Sequence, residues 1–189
     1  MRDVATEAAP ARRDELARDE RLRVTEIFLS LQGEAASVGW PTVFARLAGC
    51  PLRCRWCDTA YAFHGGSWWG FDAIEQKVAS YGAQRVCVTG GEPLAQSNCR
   101  GLLTRLAARG YSVSLETSGA LPIVGLDSRV TVVMDVKAPG SGESGRNRLD
   151  NLKHLRACDQ AQFVLADRAD YEWARAFVGQ HDLAARTKV

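Results

Sequence analysis

Residues 85–93 read RVCVTGGEP. Arg85–Thr89 is rich in β-branched and apolar residues and is expected to be a strand. Gly90-Gly91 and then Pro93 end it, because proline cannot donate to a ladder. The same grammar recurs outward from this point. Tyr111–Glu116 (YSVSLE) is an expected strand stopping at Thr117-Ser118-Gly119, and Val130–Val136 (VTVVMDV) one stopping before Ala138-Pro139-Gly140. Val24–Leu29 and Thr42–Ala48 are expected strands upstream, and Ala161–Ala166 is one downstream. Three helices fall between or after them. The first carries Phe71, Ile74, Val78 and Tyr81 near helical spacing, with Asp72 as cap and Gly82 as terminator. The second spans about Asn98–Arg109, with Leu102, Leu103 and Leu106 on one side and Gly110 at its end. The third is Asp170–Val178. Strands separated by helices indicate βα units and a parallel sheet, so the class is α/β. Periodicity leaves an incomplete βα barrel and an open sheet as alternatives. The polar, glycine-rich punctuation after each strand lies where parallel α/β folds bind ligands.

The chain has 189 residues, which favours one domain. With 24 Lys and Arg against 22 Asp and Glu, the net charge is only +2, which argues against nucleic-acid binding through a broad basic face. No apolar run approaches the roughly 20 residues of a membrane span, and no apolar signal-peptide core is present. Residues 1–22 are mostly Ala, Arg, Asp and Glu, and read as a flexible extension with a short helix around Arg12–Arg18. Residues 23–189 read as the folded domain.

Six cysteines without a secretion signal point to a reducing, cytoplasmic setting. Three are scattered: Cys87, Cys99 and Cys158 read as buried small hydrophobes. The other three cluster in Gly49-Cys50-Pro51-Leu52-Arg53-Cys54-Arg55-Trp56-Cys57-Asp58-Thr59, with C-x3-C-x2-C spacing. Clustered thiols in such a setting bind metal. A structural zinc site needs a fourth ligand, which His64 would supply as Cys3His. A four-iron cluster on three thiolates leaves one iron open, as catalytic metal centres require.

Together the cysteine loop, with Trp56 as its aromatic residue, and Gly90-Gly91-Glu92-Pro93 resemble the radical S-adenosylmethionine (SAM) superfamily. Shorter segments narrow the likeness to the 7-carboxy-7-deazaguanine synthase (QueE) family. They are Leu31-Gln32-Gly33-Glu34, Phe44–Cys50, Cys57-Asp58-Thr59, Val88–Pro93, Leu115–Gly119 and Asp135-Val136-Lys137. The resemblance covers about Val24–Phe163. It implies a partial, TIM-like βα barrel of the radical SAM type. It implies a lyase converting 6-carboxy-5,6,7,8-tetrahydropterin to 7-carboxy-7-deazaguanine and ammonia, within queuosine biosynthesis. The implied cofactors are a [4Fe-4S] cluster, SAM and Mg2+. Cys50, Cys54 and Cys57 would hold the cluster and Thr59 the Mg2+. Leu31, Gln32, Gly33, Arg46 and Thr89 would meet the pterin. Trp56, Cys57, Asp58, Gly91, Asp135, Val136 and Lys137 would border SAM, the two glycines letting backbone polar groups approach its methionine moiety. The resemblance also implies a homodimer and an electron donor such as flavodoxin or ferredoxin. Another small radical SAM enzyme, such as a glycyl-radical activase, and a non-catalytic zinc module are the alternatives. The family continues past the third helix, so truncation at the C-terminus is expected.

Overall fold

The computed structural model describes residues 20–189. The short helix expected at Arg12–Arg18 lies outside them. Among the described residues, seven strands form one sheet in the order β3-β1-β2-β4-β5-β6-β7. They are β1 (Arg21–Leu31), β2 (Pro41–Leu47), β3 (Ser67–Gly70), β4 (Arg85–Gly90), β5 (Ser112–Thr117), β6 (Thr131–Asp135) and β7 (Gln160–Gln162). The sheet runs parallel from β2 through β7, and β1 pairs antiparallel with both β2 and β3. This is an open, partial βα barrel.

Two expectations are corrected. The sheet is not wholly parallel, because the loop from Leu31 to Pro41 is too short for the crossover of a dozen or more residues that a parallel pair needs. The last strand is shorter than Ala161–Ala166. Its pairing ends where Val136 N donates to Gln162 O, and Phe163 then turns against Trp173 and Phe177. Beside β7, Lys188 makes a parallel bridge to Gln160.

Helix α1 (Phe71–Ala79) buries Phe71, Ile74 and Val78. Gly70 occupies its N-cap, so Asp72 sits in the first turn, where its charge favours the helix dipole. Helix α2 (Cys99–Ala108) buries Leu102, Leu103 and Leu106. Helix α3 (Arg168–Gln180) is capped by Asp167, which accepts a hydrogen bond from Asp170 N. These helices pack on one face of the sheet. Val43, Ala45, Leu47, Val86, Val88, Val113 and Leu115 form the first apolar cluster with α1 and α2. Val132, Met134 and Ala161 form the second with Phe177 of α3. The alternate residues face inward and are largely polar: Thr42, Arg46, Arg85, Thr89, Ser112, Ser114, Glu116, Asp135, Gln160 and Gln162 line cavities inside the sheet. A closed barrel fills this space with branched apolar side chains; here it stays open.

Candidate active site

The larger cavity, about 410 Å3, lies at the carboxyl ends of β2, β4, β5 and β6. That volume is within the usual range of small-molecule sites. One side is the cysteine loop that follows β2. Its backbone is tied down at several points. Gly49 N donates to Ala62 O (2.8 Å), Glu92 N to Gly49 O (2.8 Å), and Arg55 N to Ser141 O (3.0 Å). Arg53 is not merely a solvated charge. Its guanidinium donates to Cys50 O and Leu52 O (2.8 and 2.6 Å) and stands 4.3 Å over the Phe63 ring. Cys50, Cys54 and Cys57 all line the cavity, with Trp56, Asp58 and Thr59. Thr59 Oγ1 lies 3.7 Å from Cys57 Sγ. Burial raises the pKa of Cys50 and of Cys54.

The glycines at the tip of β4 also meet a packing constraint. A Cβ on Gly90 would lie 2.2 Å from Leu47 O, and one on Gly91 2.3 Å from Gly49 O and 2.8 Å from Cys50 Cβ. The close approach these glycines permit is therefore to the end of β2 and the cysteine loop. Glu92 is completely buried. Its carboxylate accepts from Leu94 N (2.9 Å), Thr117 Oγ1 (2.9 Å), Ser118 N (2.8 Å) and Ser118 Oγ (2.5 Å), joining the ends of β4 and β5.

On the strand walls, Arg46 Nε donates to Glu26 Oε1 (2.8 Å), which also accepts from Tyr61 OH (2.8 Å). The Arg46 guanidinium faces the Phe28 and Tyr61 rings. Gln32, 4% exposed, donates through Nε2 to Glu116 Oε1 (3.0 Å), and Thr89 Oγ1 donates to Glu116 Oε2 (2.8 Å). Glu116, in the Leu115–Gly119 segment, thus links two expected substrate residues. Lys137 Nζ donates to Asp135 Oδ2 (2.5 Å), while Asp135 Oδ1 is buried without a hydrogen-bond partner among the described residues. Burial, helped by the charges of Glu34 and Asp58, raises the Asp135 pKa against the lowering by Lys137. The Lys137 pKa, which burial lowers, is carried above its usual value by Asp135. Leu31 and Gly33 also line the cavity. Val136 does not; its side chain belongs to the second apolar cluster, leaving only its backbone for a ligand.

Three free thiols on one pinned loop, the glycine seat beneath Cys50 and the orphaned Asp135 oxygen fit an iron–sulfur cluster with an organic cofactor beside it. A single zinc ion fits less well. His64, the fourth ligand such a site needs, is exposed and off the cavity that the three cysteines line. Among the scattered cysteines, Cys87 and Cys99 are buried, but Cys158 is exposed, contrary to expectation, because it lies in the turn before β7. No helix among the described residues is long and apolar enough to cross a membrane.

An open βα sheet with this loop at its carboxyl edge defines a radical SAM protein, and the radical SAM superfamily model matches residues 46–134. The class brings a [4Fe-4S] cluster, SAM, a small-molecule substrate and a source of electrons. Among curated proteins, the 7-carboxy-7-deazaguanine synthase of Koribacter versatilis is 46% identical over 166 residues, covering 86% of this chain and 73% of that protein. The enzyme of the same name from Chlorobaculum tepidum is 42% identical, covering 89% and 78%. The chain belongs to the 7-carboxy-7-deazaguanine synthase family. The crystal structure of QueE from Escherichia coli shares the fold, with a TM-score of 0.71 at 24% identity over 84% of this chain and 78% of that one.

Proposed function

We propose that this protein converts 6-carboxy-5,6,7,8-tetrahydropterin to 7-carboxy-7-deazaguanine and ammonia. The observation that carries the reading is the Gln32–Glu116–Thr89 network, which shares one cavity with Arg46 and the three cysteines. Gln32, Thr89 and the backbone at Leu31 and Gly33 offer donors and acceptors for the edge of a pterin. The Glu116 carboxylate holds Gln32 and Thr89 in register with each other. The Arg46 guanidinium, steadied by Glu26, suits the substrate carboxylate. Cys50, Cys54 and Cys57 hold the cluster, with Trp56, Asp58, Gly91, Asp135, Lys137 and the Val136 backbone around SAM. Thr59 offers one oxygen to Mg2+, an ion that takes few protein ligands. When bound, the cluster and SAM supply the one-electron chemistry, which lies outside the reach of side chains. The proposed setting is cytoplasmic, in 7-deazapurine synthesis, with flavodoxin or ferredoxin as electron donor and a homodimer as the assembly.

The test is anaerobic purification followed by a reduced assay with SAM, Mg2+ and the pterin. About four irons per chain, as the cluster type requires, with formation of 7-carboxy-7-deazaguanine, is the expected result. SAM cleavage without deazaguanine would reject the substrate. Arg46→Ala should retain the iron and lose turnover through weaker substrate binding. Cys54→Ala should lose SAM cleavage altogether.

A further inference from the structure

The segment that connects β1 to β2 does more than turn the chain. It crosses the open interior of the sheet and is fastened on the far side. Gln32, Gly33 and Glu34 line the large cavity, whereas Ala36 and Ser37 line a second, polar cavity of about 160 Å3 beneath it. The loop is therefore the wall between the two. Ala35 within it has φ +60°, a left-handed conformation in which the Cβ crowds the following carbonyl oxygen. Something must hold such a turn in place. Two side chains of β7 do so. Gln160, 9% exposed, accepts from Ala36 N at 2.7 Å, and Gln162 Nε2 donates to Glu34 Oε2 at 2.6 Å. Glu34 N in turn donates to Gln32 Oε1 (3.2 Å), the same side chain whose amide reaches Glu116. The chain of bonds thus runs from β7, through the strained turn, to the Gln32 carboxamide.

We propose that Gln160 and Gln162 are positioning residues that set the geometry of the substrate-facing loop, Gln160 by holding the backbone past Ala35 and Gln162 by orienting Glu34. This rests on the pterin reading of the cavity. The two glutamines act in opposite senses, one as acceptor and one as donor, and this distinguishes them from generic packing. Gln160→Glu keeps the acceptor for Ala36 N, with Arg85 and Lys188 lining the same small cavity to balance its charge. Gln162→Glu removes the donor and sets two carboxylates against each other.

The experiment compares Gln160→Ala, Gln160→Glu, Gln162→Ala and Gln162→Glu in the full chain by two readouts. The first is amide hydrogen exchange over residues 33–38 in the metal-free protein. The second is steady-state kinetics of the cluster-loaded protein with the pterin. Both alanine variants and Gln162→Glu should exchange faster in this loop, with β4 and β5 unchanged. Their KM should rise roughly tenfold, the scale of one lost buried hydrogen bond, at a kcat within about threefold of wild type. Gln160→Glu should restore both readouts. Unchanged exchange in Gln160→Ala, or faster exchange with an unchanged KM, would overturn the inference. So would a loss of kcat with no change in KM. If the variants show these exchange differences but the wild-type protein makes no deazaguanine, the clamp stands and the pterin reading falls instead.

Discussion

Glu92 has no exposed surface, yet its carboxylate is fully occupied by donors from two strand ends. An amide in its place would turn an NH2 group toward some of those donors. Glu92→Gln is expected to cost about 1–3 kcal/mol, read as a lower urea midpoint at unchanged m-value. Asp159 is a second buried carboxylate with a full set of partners. It accepts from Val132 N, from Arg156 N and from the Arg156 guanidinium, all at 2.7–2.8 Å. Burial alone would raise its pKa, but these bonds outweigh burial and leave it lowered. A lowered folded value means that its stabilisation is complete above the unfolded pKa of about 3.9 and is lost as pH falls through the folded value. Thermal melts should be insensitive to Asp159 titration between pH 7 and pH 5 and fall at lower pH. Asp159→Asn should be less stable at neutral pH with a shallower acid limb; parallel pH profiles would refute this. The cysteines and the GGEP segment were legible in sequence because each is a local pattern. The partners of Glu92, Glu116 and Gln160 were not, since each bond joins residues far apart in the chain.

At the scale of elements, the cysteine loop and the tip of β4 behave as one piece. Gly91→Ala brings a methyl group against Gly49 O and Cys50 Cβ, both of them in the cluster-binding loop. The expected cost is about 1–3 kcal/mol, as for other overpacked sites. Iron retained after reconstitution should fall as well, because Cys50 is displaced. Gly145→Ala, where nothing lies within 4 Å, is the matched control and should retain its iron. The parallel strands could be read in advance because glycine and proline punctuate them. Strand β3 could not. Ser67–Gly70 has four residues, Trp68 is 59% exposed, and the strand exists because it pairs with β1. The direction of β1 likewise follows from loop length rather than from its own composition.

Across the whole molecule, the sheet divides two kinds of surface. Both apolar clusters lie on the face that carries the helices, while the cavities lie on the other. Adjacent residues of one strand should therefore respond very differently to truncation. Leu115→Ala, on the packed face, should cost about 2–5 kcal/mol. Ser114→Ala, on the cavity face, should cost less than about 1 kcal/mol. Equal effects in denaturant titrations would mean that the inner face contributes to the core after all.

That division makes the sheet a partition between what keeps the protein folded and what it recognises. Replacing Phe28, Ser30 or Val164 along the cavity wall changes the shape offered to a small molecule. Deleting any of these side chains removes no member of the first apolar cluster, and none of the second. A library confined to this wall can thus be screened for altered substrate preference with little loss to misfolding, which a closed barrel with a filled interior does not allow.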